Sequence, residues 1–104
     1  MTDHPVVDQA DVVDRTRTWV RENFLYMRPD WPLDEDAPLL RSGVIDSIGV
    51  IELVGFLEHT WRLTIPEQQI TEENLGTLGA IGRYVVDQAA GAASRNGHRP
   101  QPIP

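Results

Sequence analysis

Two chemically versatile residue types are missing from this chain: there is no cysteine and no lysine among its 104 residues. Without cysteine the chain can form no disulfide framework, offers no thiolate to a metal and supplies no cysteine nucleophile. Arginine provides all nine bases, which reads as a compositional bias. Bases are also scarce: nine stand against sixteen acids, for a net charge of −7. Binding to nucleic acid rests on neutralising phosphates, so an acidic domain is a poor candidate for it. Its acidity keeps a small protein soluble and suits basic patches on protein partners. No apolar run approaches the roughly 20 residues of a membrane span. The opening "MTDHPVVDQADVV" lacks the basic-then-apolar pattern of a secretory signal. The expectation is a cytoplasmic protein that engages neither nucleic acid nor membrane.

What remains is enough for one small domain with a modest core, 40% apolar by composition. The stretch 6–26, "VVDQADVVDRTRTWVRENFLY", places Val13, Thr16, Val20 and Phe24 at helical spacing with Val12 and Trp19 beside them. It predicts an amphipathic helix ending before Pro29. Residues 27–45 hold three prolines and no sustained period. They form a loop of about twenty residues, a length that is usually functional or disordered in compact domains. Trp31, Leu33, Leu39, Leu40, Val44 and Ile45 predict that it packs down on the core.

The stretch 46–61, "DSIGVIELVGFLEHTW", predicts the clearest helix, with Asp46 as N-cap. Val50, Leu53, Val54, Leu57 and Trp61 fall on one stripe, the expected core face. Ile48, Ile51, Glu52, Gly55 and His59 fall on the opposite face, with Phe56 on its flank. Beyond it, Ile65 and Ile70 anchor a connector. "TEENL", 71–75, predicts a short helix capped by Thr71, its glutamates suited to the positive helix end. Residues 77–92 predict a last helix with Leu78, Ile81, Val85 and Ala89 inward. Gly79 and Gly82 weaken that helix by about 1 kcal/mol each relative to alanine, and they allow close approach of a neighbour. Residues 94–104 have the composition of a disordered tail. The expected architecture is all-α: a small bundle of three main helices and one short one, with a long loop between the first and second. A domain over 1–92, core about 7–90, is followed by a tail over 93–104.

Ser47 stands where that second helix begins, and three readings compete for it. A hydrolase nucleophile of the elbow type needs glycine two residues earlier, after a strand. Here that position is Ile45 and no strand precedes it. Of the histidines, His4 and His98 lie in the terminal segments. His59 lies twelve residues along the same helix, roughly 18 Å away. That geometry argues against a serine–histidine pair. A serine at a helix start is usually a cap, but Asp46 already fills that place. The third reading is covalent modification: an attached phosphodiester would meet the positive end of the helix. A phosphoserine switch has less support, since no basic cluster near Ser47 invites a phosphate-dependent partner.

"GVIDSIGVIELVGFLE" resembles the second-helix signature of the acyl and peptidyl carrier proteins, an Asp-Ser pair and an apolar residue opening a helix with spaced leucines. The order of the other elements is similar to that family over roughly residues 7–90. The resemblance implies that Ser47 carries a 4′-phosphopantetheine arm, installed from coenzyme A by a phosphopantetheinyl transferase, whose thiol holds cargo as a thioester. The reactive sulfur would then come with the prosthetic group. It further implies that Asp46 is read by the transferase, and that Ile48, Ile51, Glu52 and Gly55 form the partner face. An apolar anchor beside a charge suits weak, oriented docking. Leu53, Leu57 and Trp61 match family core positions. The implied protein is a free-standing monomeric carrier, not itself an enzyme. An adenylating acyl or aminoacyl ligase would load it and a downstream acyl-accepting enzyme would unload it, in fatty acid or secondary metabolite biosynthesis. Gly49 and His59 stand where fatty-acid carriers are often acidic, and Gly49 is similar to D-alanyl and other aminoacyl carriers. Fatty acyl, polyketide and aminoacyl cargo therefore all stay open. The alternative is a helical interaction module that binds a partner through Ile48, Ile51 and Phe56, with Ser47 only a helix cap.

Overall fold

Asp8 starts the first helix. Its carboxylate accepts a hydrogen bond from the Asp11 N–H at 3.1 Å, which fixes α1 as Gln9–Phe24 in the computed structural model. The structure describes residues 7–94; the opening histidine at 4 and residues 95–104 of the tail expected over 93–104 lie outside the described residues. α1 is shorter at both ends than the periodicity alone predicts. The cap sets its start, and at its end the chain turns away through Tyr26 and Met27 before Pro29. Val12, Val13, Thr16 and Val20 are buried, while Trp19 and Phe24 are half-buried.

α2 is Ser47–Trp61, a single 3₁₀ turn follows at Glu67–Gln69, α3 is Glu72–Leu75 and α4 is Leu78–Ser94. Among the described residues there are three long helices, one short helix and no strand, as expected. Thr71 caps α3 by accepting from the Asn74 N–H at 3.2 Å, and Thr77 does the same for Ala80 at 3.0 Å in the first turn of α4. Leu53 and Leu57 from α2, with Leu78, Ile81 and Val85 from α4, fill the centre beside the α1 valines. Ala89 is only half-buried. Gly82 lets α1 and α4 pack closely: a Cβ there would come within 2.9 Å of Val13 Cγ2. The sequence reading of that glycine as a close-approach point holds.

The long loop does pack down. Leu33, Leu39, Val44 and Ile45 are buried, and the Leu39 N–H donates to the Gly76 carbonyl at 2.8 Å. Arginines of α1 shape its first half. Arg17 Nε donates to the Leu33 carbonyl at 3.0 Å, and Arg21 Nη1 donates to the carbonyls of Pro29 at 3.2 Å and Trp31 at 3.0 Å. Leu40 departs from expectation: it is 41% exposed and lies at the rim of a small cavity with Val50, Ile70 and Leu75. Its neighbours Leu39 and Ile45 take the interior instead, because the Ile45 N–H bonds back to the Leu39 carbonyl at 3.1 Å and closes the turn with Leu40 outside. No helix among the described residues is long and apolar enough to cross a membrane.

Candidate functional site

The chain enters α2 through a tight turn at Gly43, whose φ of 84° favours glycine. Asp46 then caps the helix. Its Oδ1 accepts from the Gly49 N–H at 2.7 Å, its backbone is extended, and its own carbonyl takes the Val50 N–H at 3.0 Å. Ser47 is therefore the first helical residue and not the cap. This corrects the alternative that gave it only a capping role, and the reason is plain: one position earlier, a carboxylate already satisfies the helix end. Ser47 is exposed, and among the described residues its hydroxyl has no hydrogen-bond partner. Its Oγ stands free at the end of a helix where the unpaired N–H groups favour negative charge.

The face that follows is open. Ile48 is 68% exposed and Ile51 is 70% exposed; Glu52, Gly55 and His59 are exposed beside them. A Cβ on Gly55 would meet nothing within 4 Å, so this stretch of helix surface is flat and bare. Exposed large apolar side chains next to one another mark an interaction surface more often than singletons do. His59 sits at the far end of α2, twelve residues from Ser47 and roughly 18 Å along the axis. No histidine among the described residues is placed to act as a base for the serine.

Phe56 departs from the expected docking face. It is half-buried, stacked on Trp19 of α1 with ring centroids 4.9 Å apart, and meets Trp61 edge-on at 5.7 Å. Trp19 in turn meets Phe24 edge-on at 5.5 Å. The four rings form a continuous array at the α1–α2 side, which draws Phe56 inward and leaves Trp61 half-buried at the rim. Val50, also expected in the core stripe, is half-buried at the opposite edge of α2. Gly49 is buried: Phe24 fills the place of its side chain, 2.9 Å from where a Cβ would stand. The sequence reading noted Gly49 for its missing acid and its likeness to aminoacyl carriers, not for packing.

On the far side of α2, Glu58 Oε2 accepts from the Ile65 N–H at 2.8 Å and locks the connector to the helix. Tyr84 of α4 donates its hydroxyl to Gln69 Oε1 at 2.5 Å, while Asn74 Nδ2 donates to the Gln69 carbonyl at 2.9 Å. Burial, and secondarily the Glu58 carboxylate, push the Tyr84 phenol above its ordinary value. No group of three or more potential metal ligands is found among the described residues.

No protein-family model matches the chain. The D-alanyl carrier protein of Streptococcus suis strain 98HAH33 is 38% identical to it over 55 residues, which is 53% of this chain and 67% of that protein. The protein of the same name from strain 05ZYH33 is 36% identical over 55 residues, with the same coverage.

Proposed function

The chain belongs to the carrier-protein family, and from that premise we propose that it carries an acyl or aminoacyl group on a 4′-phosphopantetheine arm attached to Ser47. The observation that carries the reading is the free Ser47 hydroxyl. It is exposed, has no partner, and is relieved of capping by Asp46. The local residues fit the arm: the hydroxyl is accessible, and the helix end opposes no anion except a carboxylate already engaged by the Gly49 N–H. Attachment forms a phosphodiester between Ser47 Oγ and the phosphopantetheinyl phosphorus of coenzyme A, with release of adenosine 3′,5′-bisphosphate and of the serine proton. Once bound, the arm supplies a terminal thiol that holds cargo as a thioester.

The chain's own residues then serve recognition. Asp46 fixes the attachment turn and is the acidic residue a phosphopantetheinyl transferase reads. Ile48, Ile51, Glu52 and Gly55 form the partner face: the isoleucines bury against a partner, the bare glycine admits close approach, and Glu52 orients it. The partners are the transferase, an adenylating ligase that loads the arm, and an enzyme that takes the cargo, with the carrier acting as a cytoplasmic monomer. The named relatives carry D-alanyl groups, which supports a small aminoacyl cargo over a fatty chain. Intact mass tests the reading. Incubation with coenzyme A and a broad-specificity phosphopantetheinyl transferase should add one phosphopantetheinyl group, and Ser47→Ala should add none. A folded protein that gains no mass with several transferases would overturn it.

A further inference from the structure

A cleft of about 400 Å³ opens beside the attachment turn, between the end of α1 and the segment leading into α2. Phe24, Met27, Arg28, Trp31, Ser42 and Gly43 line it. Gly43 in its wall lies four residues before Ser47 in the chain, and Phe24 packs on Gly49 in the first turn of the helix that Ser47 opens. Met27 is 79% exposed, so a large thioether side chain stands at the cleft with little covering it. The Arg28 guanidinium lies 5.1 Å from the centroid of the Trp31 ring. Among the described residues no carboxylate pairs with it, whereas Arg15, Arg17 and Arg41 each have one.

Part of the hydrogen-bonding capacity around the cleft is already used. The Leu25 carbonyl already takes the Arg28 N–H at 2.8 Å, the Arg28 carbonyl takes the Trp31 N–H at 3.1 Å, and Arg21 occupies the carbonyls of Pro29 and Trp31. The Arg28 side chain keeps its fork of N–H donors free of any hydrogen bond among the described residues. The cleft therefore suits a chain rich in acceptors with an apolar portion to lie on Met27 and Phe24. The loop is also held in shape before anything enters it, by the same Arg21 bonds. The other cavity near α2, lined by Leu40, Val50, Ile70 and Leu75, holds only about 70 Å³. That is the volume of two or three waters at about 30 Å³ each, far too little for such a chain.

We propose that this cleft is the resting site of the pantetheine chain tethered at Ser47, with Arg28 donating to its amide carbonyls or phosphate and Met27 and Phe24 against its geminal methyl groups. The inference rests on the carrier reading. Nothing covalent changes; the arm folds back along the loop instead of extending into solvent, and a partner draws it out.

The test compares unmodified and phosphopantetheinylated protein by NMR, with modification verified by intact mass. The Trp31 indole N–H and the Met27 methyl resonances should shift on modification, and those of Val50, Ile70 and Leu75 should not. In parallel, the arm's thiol is titrated with a maleimide. In Arg28→Gln and in Met27→Ser, both changes at exposed residues and checked for fold by circular dichroism, the thiol should react roughly two- to tenfold faster, the worth of about one net hydrogen bond or contact. Shifts confined to residues 45–50, shifts on the Val50–Leu75 side, or equal thiol rates would each overturn the proposal while the carrier reading stands. Failure to gain mass at all would overturn the carrier reading and this inference with it.

Discussion

Exchanging Asp46 and Ser47 one at a time separates holding the helix from offering a hydroxyl. Asp46→Ala removes the 2.7 Å bond to the Gly49 N–H, a group that lies part-buried under Phe24 and cannot readily turn to water. Losing such a cap costs about 0.5–2 kcal/mol. The carboxylate also faces the positive helix end, an interaction of about 0.3–1 kcal/mol that is removed with it. For a domain of this size each kcal/mol moves the midpoint by about 4–8 °C. Asp46→Ala should therefore melt about 3–24 °C lower, followed by circular dichroism at 222 nm. Ser47→Ala breaks no hydrogen bond, so its stability should stay within about 0.5 kcal/mol of the parent. Only Ser47→Ala should lose all phosphopantetheinyl mass gain; Asp46→Ala should gain it more slowly. A Ser47→Ala protein destabilised by about 1 kcal/mol or more, beside an unaffected Asp46→Ala, would refute the reasoning. It would make the serine the cap and return the interaction-module reading.

Three other outcomes follow from single contacts. Ile51, 70% exposed, can become arginine with little change in midpoint, yet the transferase KM should rise roughly tenfold, as for a central contact worth more than about 1 kcal/mol; an unchanged KM would remove it from the docking face. Thr16 is fully buried, and among the described residues its hydroxyl has no partner, so Thr16→Val should raise the urea midpoint by the equivalent of about 1 kcal/mol, and a comparable loss would show the hydroxyl to be satisfied. Tyr84 has a raised folded pKa, so the unfolded chain ionises first and the folded state holds more protons; stability must fall as pH rises above the ordinary phenol value of about 10. Tyr84→Phe should be less stable by about 0.5–1.5 kcal/mol at neutral pH through loss of the Gln69 bond, and the gap to the parent should narrow above about pH 10; parallel curves would contradict the assignment.

The sequence disclosed most where one helix settles its own pattern. The Asp46 cap, the Leu53–Leu57 stripe, the bare Ile48–Ile51 face and the Thr71 cap all follow from spacing within single helices, and each is found. It disclosed least where a neighbour from elsewhere in the chain decides. Phe56 sits at the outward edge by its own periodicity and is turned in only because Trp19 is opposite. Gly49 looks like a missing acid until Phe24 is seen in its place. Leu39 and Leu40 are equivalent as letters, and one backbone hydrogen bond sends the first inward and leaves the second at the rim. The cleft at the end of α1 was illegible for the same reason, since its walls come from segments eighteen residues apart, from Phe24 to Ser42.

The three guanidinium–carbonyl bonds from Arg17 and Arg21 give the loop its form before any encounter. On the proposed function the protein meets several enzymes in turn. A surface already frozen loses little conformational entropy on docking, so a small contact area can be selective without being tight. The arginine bias of the composition thus has a use in the fold: three arginine–carbonyl bonds hold the segment that leads towards α2.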